Sequence, residues 1–247
     1  MVTGLSSSGT ASHAIRVSPR NQAIAAGLAH RFPGVSVASS NQDVLDSCEM
    51  AVIAVKPLAA RSVLSELRFR PNHHVISVVS ALPLRSVCDM VAPAAHVTRA
   101  VPLPSTARRL GPTAIYPPDR LVENLFAAIG TVFAVDTEDQ FNAICTATAT
   151  IASYFAFNDT IASWLAQNSI PQSTARDYVA RMVLGLTTGA VDAPDLTFQS
   201  LAAQHATAGG INEQFLKHLA DRGALEIVSE GLDAVLRRVT AASQKSS

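Results

Sequence analysis

The sequence has few charged residues: only 15% of its 247 residues are Asp, Glu, Lys or Arg, against roughly 25% in an average soluble domain. Nineteen basic residues balance nineteen acidic ones, and no basic tract occurs. The counterion release that drives nucleic-acid binding is therefore missing, and we expect no nucleic-acid partner. With 48% apolar residues and so little polar surface, the chain is also expected to bury part of that surface in an oligomer.

Cysteines are also scarce, since Cys48, Cys88 and Cys145 are isolated and odd in number. They provide neither a disulfide framework nor a Cys-x-x-Cys site, which indicates a reducing cytoplasm. No basic residue precedes a long apolar run at the N-terminus, which argues against a signal peptide. The longest low-charge stretch, residues 141–157, is shorter than the ~20 residues of a membrane-spanning helix. We expect a cytoplasmic protein with no membrane partner.

The first half of the chain alternates short β-branched segments with segments that carry apolar residues at helical spacing. This alternation predicts parallel strands joined by right-handed helical crossovers. We therefore predict an α/β domain over residues 1–136, a Rossmann-like doubly wound parallel sheet in which Ile15, Ile53 and Ile76 lie side by side. Its strands are expected at residues 14–18, 35–38, 51–55, 75–79, 97–101, 113–116 and 131–135.

The second half, residues 137–247, contains no convincing strand pattern. Helical segments are separated by Pro171, by a loop at 192–195 and by Gly209-Gly210. Apolar residues at helical spacing between Leu225 and Val239 predict an amphipathic closing helix. We expect an all-helical domain, and the Ala, Thr and Ser content of residues 144–165 suits close helix packing within one chain or between two chains.

A doubly wound sheet that binds a dinucleotide usually has a Gly-x-Gly-x-x-Gly turn after its first strand, and no such motif occurs here. The first clear strand instead ends in Ser18-Pro-Arg20-Asn21. Ser, Arg or Asn at a strand end of this kind accommodates a ribose 2′-phosphate, whereas an acidic residue selects a free hydroxyl. Ordinary helix capping by Ser and Asn explains the same residues as well, so both interpretations stay open.

Two further sequence features bear on chemistry. Lys56 follows an apolar strand and precedes Pro57, which opens a helix, so Lys56 is expected at the carboxyl edge of the sheet, where α/β folds bind ligands. A lysine in that place is also often just solvated. No two histidines have metal-ligand spacing beside carboxylates, so no metal site is expected, and only His205, next to the 207–212 segment, has a position of interest.

Several short motifs follow one another along the chain. They are Ser18-Pro-Arg20-Asn21, Ser40-Asn41, Ala54-Val55-Lys56-Pro57, Arg99 to Pro102, Gly111 to Ala114, Ala128-Ile129-Gly130 and Val183-Leu184-Gly185. In this order and spacing, over nearly the whole chain, the sequence resembles the pyrroline-5-carboxylate reductase family.

The resemblance implies a nucleotide domain followed by a helical domain that interlocks with a second subunit in a homodimer or larger assembly. It implies NADPH-dependent reduction of a cyclic imine, 1-pyrroline-5-carboxylate, to L-proline. The residues that would contact NADP are Ser18, Arg20, Asn21, Asn41, Ala54, Val55, Lys56 and Pro57. Substrate would be bound by Thr148, Thr150, Gly209 and Gly210, and Thr207 and Asn212 would act as catalytic donors.

The sequence departs from the family pattern in two places, and these departures leave alternative functions open. Family members begin with a strand and a Gly-rich turn before a helix whose end resembles Met1 to Leu5, so about fifteen residues, roughly one central strand and its turn, are expected to be absent. Either the natural start lies upstream, or the cofactor pyrophosphate has no cradle in this chain. The substrate segments also differ, with Thr148 to Tyr154 and Thr207 to Asn212 replacing Ser- and Gly-rich family segments. A non-catalytic or cofactor-deficient member, or a reductase of another imine or carbonyl compound, would show the same changes.

Overall fold

Two compact units make up the computed structural model, which describes residues 1–7, 14–80 and 82–244. The first unit comprises Met1–Thr146 with the C-terminal segment from Leu236, and the second comprises Ala147–Val235. In chain order, the first unit contains α1 (Val2–Ser6), β1 (Ile15–Val17), α2 (Gln22–Arg31), β2 (Val35–Val37), α3 (Asn41–Asp46), β3 (Met50–Ile53), α4 (Pro57–Leu64), β4 (His74–Ser77), α5 (Leu84–Val91), β5 (His96–Pro102), a 3-10 helix (Pro104–Arg108), β6 (Gly111–Tyr116), α6 (Arg120–Ala127), β7 (Gly130–Ala134) and α7 (Glu138–Ala147).

The strands form a Rossmann-like arrangement of mainly parallel pairs, which confirms the predicted fold class. A two-stranded sheet pairs β1 with β2, and a five-stranded sheet has the order β3-β4-β5-β6-β7. The prediction of parallel pairing was wrong for β6, which runs antiparallel to β5 with Arg99 opposite Tyr116. Only residues 103–110 connect these two strands, and a parallel crossover needs a dozen or more residues.

The prediction that three isoleucines share one sheet was also wrong in part. Ile76 pairs with Val52 in the five-stranded sheet, where Ile53 lies next in register, but Ile15 lies in the two-stranded sheet opposite Val35. Among the described residues, no strand of the two-stranded sheet is hydrogen-bonded to a strand of the five-stranded sheet. Ile15 nevertheless packs against the apolar cluster that contains Ile76.

The core of the first unit lies on both faces of the five-stranded sheet. Because neighbouring strand residues point to opposite faces, Val75 joins one buried cluster, with Leu64 and Val87, while Ile76 joins the other, with Phe126. Helices α4 and α5 thus cover one face and α6 covers the other. Buried strands covered on both faces carry continuous apolar runs, which is why residues 50–55 are apolar on both sides.

The second unit is helical, as predicted. It contains α8 (Thr150–Gln167), α9 (Gln172–Asp192), α10 (Phe198–His205), α11 (Ile211–Ala220) and the first half of α12 (Ala224–Gln244). Its buried apolar cluster consists of only Ala162, Ala175 and Val179 among the described residues. None of the helices in the described part of the chain is long and apolar enough to cross a membrane.

Candidate functional site

Ser18 and Asn41 meet where β1 and β2 end. The Ser18 hydroxyl donates a hydrogen bond to Asn41 Oδ1 at 2.6 Å, and both side chains are partly buried. The backbone N–H of Arg20 donates to the same hydroxyl at 3.3 Å. The structure therefore brings together three of the residues for which nucleotide contacts are predicted, at the edge where open α/β sheets bind ligands.

The Asn21 side chain already makes a hydrogen bond within the protein, whereas the Arg20 side chain is exposed to solvent. Asn21 Oδ1 accepts the backbone N–H of Ile24 at 3.1 Å, so Asn21 is the N-cap of α2, and the capping interpretation holds for it. Arg20 is exposed, and among the described residues no carboxylate lies within ion-pair distance of its guanidinium. The backbone N–H of Arg20 contacts the Ser18 hydroxyl, and an exposed guanidinium on this residue is a suitable donor for a phosphate.

An ion pair next to this site was not expected from the sequence. Arg16 of β1 contacts both carboxylate oxygens of Asp43 at 2.9 and 2.8 Å, and Ser39 donates to Asp43 through its N–H and its hydroxyl. The Ser39 backbone N–H, followed by Arg16, lowers the pKa of Asp43 to about 2. Asp43 is thus ionised but paired with Arg16. The two residues lie 27 positions apart, so no local pattern marks the pair.

Residues Ala54–Pro57 follow β3 in the other sheet. Lys56 is the N-cap residue of α4 and Pro57 occupies the first turn. Ala54, Lys56 and Pro57 are exposed, and Val55 is half-buried. No hydrogen bond or ion pair of the described residues links this segment to Ser18 or Asn41. The position of Lys56 at the carboxyl edge agrees with the sequence analysis, and its contact with a nucleotide remains a prediction.

The described residues fit the ribose phosphate of NADP better than its pyrophosphate. Ser18, Arg20 and Asn41 supply donors for a ribose phosphate, but no Gly-rich turn that could cradle a pyrophosphate occurs in residues 1–7, 14–80 or 82–244. Gly4 lies in α1, where an added Cβ would collide with the carbonyl oxygen of Thr106. This glycine is therefore required for packing against the 3-10 helix.

In the helical unit, Thr207 to Gly210 form a tight turn before α11, and Asn212 lies in the first turn of that helix. Gly210 N–H donates to the Thr207 carbonyl at 2.8 Å, and a Cβ on Gly210 would lie 2.6 Å from Thr207 Oγ1, so only glycine fits without rearrangement. Gly209 has φ +74°, and its N–H donates to Glu213 at 2.7 Å. Glu213 was not predicted from the sequence, although an acidic residue three positions into a helix is a common capping signal.

Asn212, Thr150 and Thr148 each have local backbone contacts. Asn212 Nδ2 donates to the His205 carbonyl at 3.2 Å. Thr150 donates through its hydroxyl to the Ala147 carbonyl at 2.8 Å, and the Thr148 carbonyl accepts the Ile151 N–H at 3.2 Å. The amide nitrogen of Asn212 has two N–H donors, so one remains for a ligand. The substrate and catalytic roles of these residues remain predictions.

The cysteines of the chain are not activated nucleophiles. All three are free thiols, and burial raises the pKa of each of them. For Cys145 the pKa rises to about 11. Since the thiolate is the reactive form, thiol chemistry is not a function that this arrangement supports.

One group of side chains that could bind a metal ion was not predicted from the sequence. His74, His96 and Asp119 each place a ligand atom within 4.8 Å of the others. The histidines are the first residues of β4 and β5, which are register partners although they are distant in the sequence. Strand alignment is the signal that could have revealed them, because the spacing along the chain shows nothing.

A Rossmann-like α/β domain followed by a helical dimerisation domain is the architecture of a family of oxidoreductases. Residues 1–81 match the family model described as NADP oxidoreductase, coenzyme F420-dependent. Residues 138–242 match the model of the pyrroline-5-carboxylate reductase dimerisation domain. The chain belongs to the pyrroline-5-carboxylate reductase family, a family of NAD(P)-dependent oxidoreductases, which confirms the resemblance seen in the sequence.

Individual relatives agree over nearly the full chain. The pyrroline-5-carboxylate reductase of Vibrio alginolyticus is 23% identical, over 96% of this chain and 91% of the relative. The structure of the Coxiella burnetii enzyme superimposes with a TM-score of 0.82 at 25% identity, covering 98% of this chain and 93% of that one. The Plasmodium falciparum pyrroline carboxylate reductase with NADP bound has a TM-score of 0.81 at 17% identity, with coverages of 98% and 92%.

Proposed function

We propose that this chain is an NADPH-dependent reductase of a cyclic imino acid and that it converts 1-pyrroline-5-carboxylate to L-proline. The observation that carries the proposal is the hydrogen bond of Ser18 to Asn41 at 2.6 Å, together with the exposed residue Arg20, whose backbone N–H donates to the same Ser18 hydroxyl. The relatives named above are pyrroline-5-carboxylate reductases, and one of them holds NADP. The three free thiols suit a reducing cytoplasm.

NADPH, when bound, supplies the hydride. In the proposal, Arg20 and Ser18 bind the ribose phosphate, Asn41 orients Ser18, and Ala54–Pro57 line the nicotinamide side. Thr148, Thr150, Gly209 and Gly210 bind the substrate carboxylate, while Asn212 and Thr207 donate hydrogen bonds to the substrate. This chemistry requires correct positioning and a proton for the imine nitrogen, and it needs no strong acid–base pair.

The test combines binding with turnover. Thermal unfolding of the full chain is followed with and without NADPH, because a ligand at 100 times its dissociation constant stabilises by about 2.7 kcal/mol. Oxidation of NADPH is then followed with 1-pyrroline-5-carboxylate and with a panel of uncharged cyclic imines and ketones. Asn212→Ala should lower kcat with the preferred substrate, while Gln214→Ala, on the same helix, should leave it unchanged.

A cofactor-deficient dimeric member is a second candidate, and a specific observation favours it. In the described residues, β1 and β3 are not hydrogen-bonded to each other and no Gly-rich turn lies between them. Absence of NADPH stabilisation together with an intact oligomer would select this candidate. Stabilisation by NADPH combined with turnover of a different imine or carbonyl compound would retain the reductase class and replace the substrate.

A further inference from the structure

A cluster of three metal-ligating side chains lies at the amino-terminal edge of the five-stranded sheet. His74 and His96 are register partners at the starts of β4 and β5, and their rings stack with centroids 4.3 Å apart and planes 6° from parallel. Since β6 is antiparallel to β5, the chain leaves β6 at this same edge. Asp119, three residues beyond Tyr116, therefore lies beside the two histidines.

The His74 ring nitrogen lacks a partner that its position calls for. His74 Nδ1 is buried, and among the described residues it has no hydrogen-bond partner. The nearest carboxylate oxygen, Asp119 Oδ2, is 3.7 Å away, which is too far for a hydrogen bond. A buried polar atom without a partner is costly, and an ion placed between this nitrogen and the carboxylate would contact both.

The carboxylate of Asp119 is already oriented toward this gap. Asp119 Oδ1 accepts the backbone N–H groups of Leu121 and Val122 at 2.9 and 3.1 Å, because Asp119 is the N-cap of α6. These bonds leave Oδ2 to face His74. Outer hydrogen bonds that fix a carboxylate in this way are typical of metal sites. The adjacent His73 points to the opposite face, where Arg70 N–H donates to its Nδ1 at 3.0 Å.

We propose that His74, His96 and Asp119 bind a divalent transition-metal ion of the Zn²⁺ class. Two imidazole nitrogens and one carboxylate oxygen suit Zn²⁺ and its chemical neighbours, with water at the remaining position. In a tetrahedral site with bonds of about 2.0–2.2 Å, ligand atoms lie roughly 3.4 Å apart. The His74–Asp119 separation of 3.7 Å is close to that value. His96 is exposed, so its side chain can move inward as the ion binds.

The site is separate from the candidate nucleotide edge. His74 and His96 begin their strands, whereas Lys56 follows the end of the neighbouring strand β3. The first and last residues of a four-residue strand are about 10 Å apart, and Lys56 lies three residues beyond the end of β3. The ion would connect β4, β5 and the start of α6, and it would therefore stabilise the folded unit without taking part in hydride transfer. This proposal does not depend on the proposed reductase function.

The test uses the full chain after removal of metals with a chelator, in the absence of NADPH. Zn²⁺ is titrated by calorimetry, and Co²⁺ serves as a spectroscopic probe because its visible bands report coordination by nitrogen and oxygen. We expect one ion per chain and a higher Tm with Zn²⁺. His96→Gln, at an exposed position, should weaken binding by about 100-fold and abolish the shift in Tm. Asp119→Asn, which keeps a helix-capping side chain, should weaken it at least tenfold.

The matched control is His205→Gln, an exposed histidine of the helical unit, which should bind Zn²⁺ as the unaltered chain does. Unchanged binding in both His96→Gln and Asp119→Asn would overturn the proposal, as would loss of binding in His205→Gln alone. Absence of Zn²⁺ and Co²⁺ binding by the unaltered chain would overturn it as well. Circular dichroism shows whether each variant keeps its fold. If a variant unfolds, the visible Co²⁺ spectrum of the unaltered chain is the test, and a spectrum without coordination by nitrogen and oxygen would overturn the proposal.

Discussion

Arg20 is exposed, and its backbone N–H donates to the Ser18 hydroxyl. If its guanidinium binds the phosphate as proposed, Arg20 predicts a preference between two nucleotides. Only NADPH carries the 2′-phosphate, and hydrogen bonds to charged groups contribute about 1.5–3 kcal/mol. Arg20→Ala should therefore raise the Kd for NADPH by about 10- to 100-fold and change the Kd for NADH little. Fluorescence titration with each nucleotide measures both constants.

The control for this measurement is Arg31→Ala. Arg31 is the last residue of α2, whereas Arg20 lies just before the start of that helix. The Arg31 guanidinium lies over the Phe32 ring, 5.0 Å from its centroid. Its removal should leave both nucleotide affinities unchanged. An equal loss of affinity for NADPH and NADH in Arg20→Ala would refute a contact with the 2′-phosphate.

His73 predicts how stability depends on pH. The ring is fully buried, its Nε2 lies 3.2 Å from the Leu45 carbonyl, and burial lowers its pKa. In the unfolded chain a histidine titrates near pH 6.5. Below that pH the unfolded state binds a proton that the folded state does not, so the free energy of unfolding should fall as the pH falls.

Urea unfolding at pH 7.5 and at pH 5.5 measures this effect. Asp43, whose pKa is about 2 in the folded chain, loses its contribution only below about pH 4, outside this window. His73→Gln should be less stable at pH 7.5 but less sensitive to acidification, whereas His205→Gln should keep the original pH dependence. An unaltered chain that is equally stable at both pH values would contradict the prediction.

Among the elements, β5, α5 and α7 are held together by one carboxylate. Glu138, the first residue of α7, accepts Arg99 Nη1 at 2.6 Å and the backbone N–H of Leu84 at 2.7 Å. Only 3% of the Arg99 side chain is exposed, and its guanidinium lies 4.4 Å from the centroid of the Phe141 ring. These contacts explain why α7 clusters with the first unit.

Glu138→Ala should therefore destabilise the first unit. Removing one partner of a buried ion pair costs about 3–5 kcal/mol, and because the Glu138 side chain is 31% exposed we expect about 2–3 kcal/mol. Glu138→Gln retains an acceptor and should cost less. Asp139→Ala, at the exposed neighbouring position, is the matched control in urea unfolding. A loss in Glu138→Ala no larger than in Asp139→Ala would show that the pair contributes nothing.

The strands and helices also show how much of the fold could be predicted from the sequence. Apolar runs and helical spacing predicted the strands and the helical second half because burial controls both patterns. The direction of β6 was missed because it follows from the short 103–110 connection rather than from the composition of the strand. That reversal delivers Asp119 to His74 and His96, so the metal-ligating cluster could not be inferred from spacing along the chain. Ser18 and Asn41 were predicted as nucleotide contacts from the resemblance and from their places after strands. Glu213 carried a capping signal in the sequence, but its contact with Gly209 is seen only in the structure.

At the scale of the whole molecule, the helical unit exposes many large apolar side chains. They include Phe155, Phe157, Trp164, Tyr178, Leu184, Leu186, Val191, Phe198, Ile211, Phe215, Leu225, Ile227 and Val228. Exposed apolar side chains in such number are typical of an interaction surface, and the match to a dimerisation domain supports homo-oligomerisation. The low proportion of charged residues in the sequence thus corresponds to this exposed apolar surface of the helical unit.

Leu184→Arg tests this surface. The leucine is 63% exposed on α9, and an unpaired charge buried in an apolar interface is strongly unfavourable. We expect a homodimer or larger assembly for the unaltered chain and at least a 100-fold weaker association for the variant, measured by sedimentation equilibrium over a range of concentrations. Leu110→Arg, at a 74% exposed leucine of the first unit, should keep the original assembly. Unchanged association in Leu184→Arg, or equal dissociation of both variants, would place the interface away from this part of α9.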